Sequence, residues 1–340
     1  MAAPPLPPPS DGLVLVTGAT GFVGATLTRA LVEDGAPVRI LRRPSSSLDL
    51  LGDAADAVEH VEGDVTEWAS ARAAAEGVAQ VYHAAAFVGF GGKKDRGALI
   101  AVNVEGTANV VDAARQAGAG RLVHVSSIAA LGRLPVPRGT LDETAEWRAS
   151  PANTRYAESK HLAELEVQRG VAEGLDAVIV NPAVIFGPGR PGDNTMRVVE
   201  RVRDGRVPAI PAGGTCVVDV ADVAEGMRRA MAQGQTGERY ILGGENLAWA
   251  TIFQTLADAL GVDPPTRRLG PGLAYALGAA NELVGAFARR RPVITRETAR
   301  TVSGFYRYSN RKAAETLGCT FRPFEETSRR IAEALASTPR

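Results

Sequence analysis

The sequence predicts an α/β fold whose parallel sheet is doubly wound, with helices covering both of its faces. Two observations support this prediction. Short runs of apolar residues, the pattern of strands buried on both faces, recur along the first 180 residues of the 340-residue chain. Segments with a helical spacing of apolar residues separate these runs, and such alternation builds right-handed βαβ units around a parallel sheet.

The predicted elements follow one another in a regular order. The first apolar run, residues 13–17, is bounded by glycine, and the helix predicted over residues 22–34 ends at Gly35, a residue type that often caps helix C-termini. Further strands are predicted at residues 38–41, 57–61, 80–83, 122–126 and 177–180, and further helices at 69–75, 103–117 and 154–172.

The chain changes character after Asn181. Proline and glycine crowd residues 182–192, which predicts a loop, and residues 217–220 and 239–242 are predicted to return to the sheet. We therefore expect a sheet domain over residues 12–182, with returns near 217–243, and a smaller, mostly helical region over 183–216 and 244–340. The Pro-rich residues 1–11 are predicted to be a disordered tail.

Composition excludes several classes of protein. Lys and Arg total 38, as do Asp and Glu, so the chain lacks the basic surplus on which nucleic-acid binding depends. Cys216 and Cys319 lie far apart with no neighbouring Cys or His, which argues against a metal site or a disulfide scaffold. Two reduced thiols of this kind are typical of a cytoplasmic protein.

The sequence also predicts neither a signal peptide nor a membrane span. Residues 1–12 lack a basic start and an apolar core, and no apolar run reaches the ~18 residues that a span requires. The nearest candidate, residues 272–288, is interrupted by Asn281 and Glu282. We expect an amphipathic helix that forms a lid over a binding site, with docking on a membrane surface as the alternative.

A glycine-rich turn joins the first predicted strand to the first helix. Residues 17–24 read TGATGFVG, in which Gly18 permits a tight turn, Gly21 allows a pyrophosphate to approach, and Gly24 lets the helix pack closely on the strand. The spacing differs from G-x-G-x-x-G, but the position between strand and helix predicts a dinucleotide site of the Rossmann type. The contacts expected within the turn are Gly18, Thr20, Gly21, Phe22 and Val23.

The end of the second strand bears on which dinucleotide binds. An acidic residue there would accept a hydrogen bond from the ribose of NAD, but this chain has Arg42 and Arg43, followed by serines. Arginine is well suited to bind a phosphate, so NADP(H) is favoured and NAD(H) is the alternative. The competing interpretation is that both arginines are solvated surface charges.

Two later strand ends are also expected to contact the cofactor. Asp64 can accept a hydrogen bond from the adenine amino group, and together with Glu67 it also resembles the start of a helix. Small residues after the fourth strand let the backbone pass close to the cofactor, whereas His83 is expected to be a packed strand-end histidine. The residues expected at these two strand ends are Asp64, Val65, Ala84, Ala85 and Ala86.

A tyrosine, a lysine and a pair of serines are the candidate catalytic residues. Tyr156 and Lys160 lie four residues apart and share one helix face, where an ammonium group can stabilise a phenolate. The alternative is an ordinary helical lysine beside a half-buried tyrosine. Ser126 and Ser127 end a strand at the carboxyl edge of the sheet, where a hydroxyl can polarise a substrate oxygen. The sequence contains no G-x-S-x-G motif of a hydrolase.

Seven sequence motifs occur in a fixed order along the chain. They are TGATGFVG, the Asp64-Val65 pair, HAAA, VSSIAALG, YAESK, NPAVIFGPG and VVDVADVAEG. Together they resemble the extended short-chain dehydrogenase/reductase superfamily over about residues 12–335. GERYILGGEN and YSNRKAAETLG resemble the C-terminal signature of its dihydroflavonol-4-reductase-like and 3-beta-hydroxysteroid-dehydrogenase-like branch, which includes hopanoid-associated sugar epimerase-like proteins.

The resemblance implies a role for each candidate residue. Ser127, rather than Ser126, would steady the substrate oxygen, and Tyr156 would donate a proton to it. Lys160 would hold the nicotinamide ribose and lower the pKa of the tyrosine, and Asn103 would help to order the active-site helix and water. The resemblance further implies a basic residue at position 43, a homodimer, and backbone contacts to the nicotinamide from Pro182, Val184 and Ile185.

These observations favour an NADPH-dependent reductase that converts a ketone or aldehyde to an alcohol. The alternative is a nucleotide-sugar epimerase or dehydratase with retained NAD, although such enzymes usually carry an acid after the second strand. A third reading is a non-catalytic dinucleotide sensor, although sensors tend to lose the tyrosine or the lysine. Apolar segments at residues 87–90, 184–186 and 272–288 suggest that the small-molecule substrate is hydrophobic.

Overall fold

A parallel sheet of seven strands forms the centre of the computed structural model, which describes residues 12–89, 95–133, 139–193, 195–276, 278 and 296–337. Within these ranges the strands, numbered in chain order, are β1 (Val14–Thr17), β2 (Val38–Arg42), β3 (Glu59–Glu62), β4 (Gln80–His83), β5 (Arg121–Val125), β6 (Thr140–Leu141), β7 (Ala177–Pro182), β8 (Val184–Phe186), β9 (Ile210–Pro211), β10 (Gly214–Asp219), β11 (Arg239–Leu242), β12 (Glu245–Ala248), β13 (Arg268–Leu269) and β14 (Arg307–Tyr308). The central sheet has the order β11-β7-β5-β4-β1-β2-β3.

Helices cover both faces of this sheet. They are α1 (Phe22–Glu33), α2 (Trp68–Ala75), α3 (Arg96–Ala98), α4 (Gly106–Gln116), α5 (Arg155–Ala172), α6 (Met196–Arg203), α7 (Val220–Gln233), α8 (Trp249–Leu260), α9 (Arg296–Ser303), α10 (Arg311–Leu317) and α11 (Phe324–Ser337). A π-helix spans Leu99–Glu105, and 3₁₀ turns span Gly52–Ala55 and Ile128–Leu131. Residues 271–276 and 278 are also helical.

The alternation of side chains along β1 explains the two-sided packing. Val14 and Val16 point into a core shared with α1 and α7, whereas Leu15, between them, packs with residues of α2, α4 and α5 on the opposite face. Successive residues of a strand face opposite sides, so a strand buried on both faces must be apolar throughout. The prediction of a doubly wound α/β sheet is confirmed.

A second, three-stranded sheet with the order β12-β10-β8 organises the smaller region, in which helices α6, α8 and α11 surround a core that includes Phe186, Ile252 and Phe324. The predicted return at residues 239–242 is the edge strand β11 of the central sheet. The predicted return at residues 217–220 is wrong, because β10 pairs with β8 instead. The chain leaves the central sheet after Pro182, the last residue of β7. Strand β8 begins at Val184 and pairs with β10 in the second sheet.

The predicted helix over residues 272–288 falls mostly outside the described residues, and only its first residues, 272–276 and 278, are helical there. The predicted tail over residues 1–11 also lies outside them. In the part of the chain that the structure describes, no helix is long and apolar enough to cross a membrane.

Candidate active site

The glycine-rich turn after β1 forms a cradle that side chains would fill. Gly18 has a φ of +71°, and a Cβ placed on it would lie 2.5 Å from the backbone nitrogen of Ala85. A Cβ on Gly24 would lie 2.7 Å from the carbonyl carbon of Gly18 and closer still to its oxygen. Helix α1 starts at Phe22 with Gly21 as its N-cap and no side-chain cap, so its first N–H groups suit an anion such as a pyrophosphate.

A pocket of about 220 Å³ opens beside this turn and collects most of the predicted cofactor residues. From the predicted set it is lined by Gly18, Thr20, Gly21, Arg42, Arg43, Asp64, Val65, Ala84, Ala85 and Ala86. It is also lined by Leu41, Ser46, Gly63, Phe87 and Val102, which the sequence analysis did not identify as contacts. The other predicted contacts do not line it: Phe22, Val23, Tyr156, Lys160, Pro182, Val184 and Ile185. The pocket combines small backbone-lined walls with basic groups and therefore suits the phosphate-bearing part of a dinucleotide.

The two arginines at the end of β2 have different surroundings. Arg42 donates from Nε to Nδ1 of His60 at 2.8 Å, and its Nη2 lies 2.8 Å from Oε1 of Glu62. Arg43 is exposed at the pocket, and within the described ranges no ion pair of its side chain is found. Arg42 is thus held by its neighbours, and Arg43 is the cation available to a ligand.

Asp64 lies at the pocket, half-buried, and its Oδ1 accepts hydrogen bonds from the backbone N and the hydroxyl of Thr66, both at 2.9 Å. Its interpretation as a helix start is wrong, since α2 begins at Trp68 with Glu67 as the N-cap. The turn at Asp64 and Thr66 uses the carboxylate locally, and the helix begins three residues later than a cap at Asp64 would give.

The candidate catalytic hydroxyls meet at the carboxyl edge of the sheet. Thr154 caps α5 by accepting a hydrogen bond from the Ala157 backbone N at 3.0 Å, and the helix carries Tyr156 in its first turn. Ser127 follows β5 in extended conformation, and its hydroxyl is hydrogen-bonded to Tyr156. Burial raises the pKa of Tyr156 above its ordinary value, and the bond with Ser127 opposes this only in part, so the phenol stays protonated at neutral pH.

Lys160 is fully buried one helical turn beyond Tyr156. Its Nζ donates to the carbonyl oxygen of Val125 at 2.8 Å and lies 3.4 Å from Nε2 of His124. Burial lowers the pKa of Lys160 to about 8, and the charge of Glu164 acts in the opposite direction. The pKa of Tyr156 lies above its ordinary value, so the lowering expected from Lys160 is not found; the ammonium instead bonds to the backbone of β5.

The histidines under the site are structural. His83 bonds through its ring nitrogens to the hydroxyls of Thr17 at 2.7 Å and Thr107 at 3.0 Å. Burial, and secondarily the charge of Lys160, lowers the pKa of His83 to about 3, and the same effects hold the pKa of His124 well below its ordinary value. Both rings are therefore neutral at physiological pH. Among the described residues, no group of His, Cys, Asp and Glu could hold a metal ion.

Asn103 connects the loop after β4 with helix α5. Its Oδ1 accepts from the backbone N of Phe87 at 2.7 Å, and its Nδ2 donates to the Phe87 carbonyl and to the Ser159 hydroxyl, both at 3.0 Å. Asn103 lies in the π-helix, a feature frequently found at functional sites. The side chain thereby fixes α5 relative to the loop that lines the pocket.

Two buried polar residues next to Tyr156 and Lys160, Glu164 and Asn181, were not among the candidate residues predicted from the sequence. Ser126, Glu164 and Asn181 form a hydrogen-bonded cluster behind Ser127. The only signal in the sequence is the spacing of Glu164, which follows Lys160 by the same four residues that separate Lys160 from Tyr156.

A Rossmann-type sheet with a glycine-rich phosphate turn, beside a paired tyrosine and lysine, defines a nicotinamide-dinucleotide-dependent enzyme. Residues 14–243 match the model of the NAD dependent epimerase/dehydratase family, and the chain belongs to this family. The resemblance to extended short-chain dehydrogenases/reductases is confirmed.

Relatives cover nearly the whole chain. Sterol demethylase protein B of Methylococcus capsulatus is 36% identical over 310 residues, which span 89% of this chain and 92% of that protein. A dihydroflavonol 4-reductase-like protein of Synechocystis is 34% identical over 315 residues, spanning 89% of this chain and 88% of its own. The crystal structure of gox2253 matches with a TM-score of 0.82 at 33% identity, covering 96% of this chain and 98% of that one.

Proposed function

We propose that this enzyme uses NADPH to reduce a ketone or aldehyde to an alcohol. The observation that carries the proposal is the hydrogen bond between the hydroxyls of Ser127 and Tyr156, with Lys160 one helical turn away. This arrangement lies at the carboxyl edge of the sheet, the edge at which the dinucleotide pocket opens and at which ligands bind in open α/β sheets. A relative named as a reductase supports the same reaction class.

Ser127, Tyr156 and Lys160 have different roles in the proposed protonation of the carbonyl oxygen. NADPH, when bound, would supply a hydride to the carbonyl carbon. Ser127 would donate a hydrogen bond to the carbonyl oxygen, and Tyr156 would give it the proton as negative charge develops. The raised pKa of Tyr156 keeps its phenol in the protonated form that this role requires. Lys160, buried below the tyrosine, would stabilise the phenolate left behind and contact the ribose.

Cofactor choice depends on Arg43 in this proposal. Its exposed guanidinium lines the pocket with Ser46, where a 2′-phosphate would need a cation and a hydroxyl donor. Arg42 contributes less, because Glu62 and His60 already occupy its donors. The residues expected on the nicotinamide side are Pro182, Val184 and Ile185, which remain a prediction.

Replacing Arg43 by Ala is expected to weaken NADPH binding by about 10- to 100-fold and to change NADH binding less than about threefold, since a hydrogen bond to a charged group contributes roughly 1.5–3 kcal/mol. Titrations that follow nicotinamide fluorescence measure both constants. Arg42→Ala is the matched control and should lose clearly less affinity for NADPH. An Arg43→Ala protein that keeps the wild-type preference would exclude Arg43 as the phosphate ligand.

A hydrophobic substrate is part of the proposal. Val88 is 47% exposed next to Phe87, which lines the cofactor pocket, so apolar surface lies open beside that pocket. The relatives are named for a sterol and a dihydroflavonol, both of which are built on fused rings. A panel of apolar ketones and aldehydes, each mixed with enzyme and NADPH, tests the proposed function through loss of nicotinamide absorbance. Consumption with none of them would contradict it.

We also expect a cytoplasmic homodimer. Both cysteines are buried free thiols, which suits a reducing compartment. Leu165, half-exposed on α5, is the kind of apolar side chain that a subunit interface covers. The molar mass in solution, measured by light scattering, is expected to be twice that of the chain.

A further inference from the structure

One buried carboxylate near the catalytic residues has no part in the mechanism given above. Tyr156, Lys160 and Glu164 occupy successive turns of one face of α5, and Glu164 is only 5% exposed. An ionised carboxylate is costly to bury unless several groups bind it. The contacts of Glu164 therefore indicate what its burial achieves.

Glu164, on α5, forms hydrogen bonds or an ion pair with residues in or directly after three neighbouring strands. Its Oε1 accepts a hydrogen bond from the Ser126 hydroxyl at 2.5 Å and one from Nδ2 of Asn181 at 2.6 Å, while Nη1 of Arg239 lies 3.5 Å from its Oε2. Ser126 follows β5, Asn181 belongs to β7 and Arg239 to β11, and these strands are adjacent in the sheet. One side chain thus links β5, β7 and β11 to α5.

The same cluster reaches the backbone of the proposed catalytic serine. Nδ2 of Asn181 donates not only to Glu164 but also to the carbonyl oxygen of Ser127, at 2.9 Å. A carboxylate that holds the Asn181 amide in place therefore holds the Ser127 peptide as well.

Glu164 is also the acidic group that acts on Lys160. Burial disfavours the charged form of Lys160, and the carboxylate of Glu164 favours it. The other titratable groups around this pair are His124 from β5, His83 from β4 and Arg239 from β11. On α5 itself the neighbours are Tyr156 and His161. Burial keeps both strand histidines neutral, so neither of them offsets the effect of removing the Glu164 charge.

We propose that Glu164 is a positioning residue of this active site, which holds the Ser127 backbone through Asn181 and keeps Lys160 protonated. Its effect on turnover rests on the proposed reductase function. Its effect on Lys160 can be measured without any substrate.

The first test titrates Lys160 directly. The chain has only four lysines, Lys93, Lys94, Lys160 and Lys312, so isotope-labelled lysine side chains give few NMR signals, and Lys160→Met assigns the relevant one. In the wild type we expect this signal to titrate near pH 8. In Glu164→Gln it should titrate lower by about one pH unit or more, because an opposite charge close by in the interior is lost. Glu166→Gln, which removes a carboxylate paired with Arg169 at the surface, should leave the titration unchanged.

The second test separates positioning from charge. Glu164→Gln is expected to lower kcat by about 10- to 100-fold, the scale of a small misplacement of catalytic groups, with the KM for NADPH changed less than about threefold. Asn181→Ser should lower kcat similarly but leave the Lys160 titration near its wild-type position, since the carboxylate remains. Identical Lys160 titrations in wild type and Glu164→Gln would overturn the proposal. If Glu164→Gln does not fold, unchanged kcat in Asn181→Ser would overturn it instead. A wild type that reduces no carbonyl would contradict the proposed function alone, because the lysine titration would still decide the role of Glu164.

Discussion

Replacing Tyr156 by Phe is expected to lower kcat by about 10²- to 10⁴-fold, the range that general acid catalysis contributes, while NADPH binding stays within about threefold of wild type. In the proposed reaction the phenol is the proton donor next to Ser127, and its raised pKa keeps it protonated at neutral pH. Phe keeps the ring and removes only the hydroxyl. Steady-state turnover and a fluorescence titration with NADPH, run on the same preparation, measure both quantities.

Tyr240→Phe is the matched control for this prediction. Tyr240 is also buried, and its hydroxyl accepts one hydrogen bond from the Gln235 backbone N at 3.0 Å, away from the catalytic hydroxyls. Its loss should lower stability by about 1 kcal/mol and leave kcat unchanged. Full activity in Tyr156→Phe, or loss of NADPH binding in that variant, would contradict the role given to Tyr156.

Replacing Gly24 by Ala is expected to abolish dinucleotide binding or to prevent folding at 37 °C. The added methyl group would lie 2.7 Å from the Gly18 carbonyl carbon and 2.9 Å from the Cα of Ala19, and both are backbone atoms that cannot rotate away. Overpacking of this kind costs about 1–3 kcal/mol or more and would displace the phosphate turn. Thermal unfolding with and without NADPH measures stability and binding together.

Gly97→Ala is the control, because Gly97 is also helical but an added Cβ would have no atom within 4 Å. Ala is favoured over Gly inside a helix by about 0.5–1 kcal/mol, so this variant should be as stable as wild type or slightly more so. A Gly24→Ala protein with wild-type stability and NADPH affinity would mean that the close contact between α1 and the turn is unnecessary.

Local patterns in the sequence predict most of the fold and the core of the site. The strands of the central sheet can be predicted because a strand that helices cover on both faces must be apolar throughout, as in β1. The phosphate turn can be predicted because its glycines stand where a Cβ would collide with neighbouring backbone atoms. Tyr156 and Lys160 are predictable as a pair because they lie one turn apart on one face of a single helix.

Features that depend on distant partners were not predictable in this way. Arg42 resembles a phosphate ligand until Glu62 and His60, from the next strand, are seen to bind it. No residue pattern predicts the π-helix around Asn103, whose side chain is hydrogen-bonded to Phe87 and Ser159. The cluster around Glu164 needs the order of β5, β7 and β11, which only the assembled sheet provides.

Isotope transfer shows whether the nicotinamide cofactor is consumed as a reductant. The enzyme would be mixed with a carbonyl substrate and NADPH that carries deuterium at the transferred position, and the product analysed by mass spectrometry. We expect an alcohol with one deuterium on the former carbonyl carbon and one NADP⁺ formed per molecule of alcohol. A product that forms while the nicotinamide remains bound and unchanged in redox state would contradict the account and favour an epimerase or dehydratase.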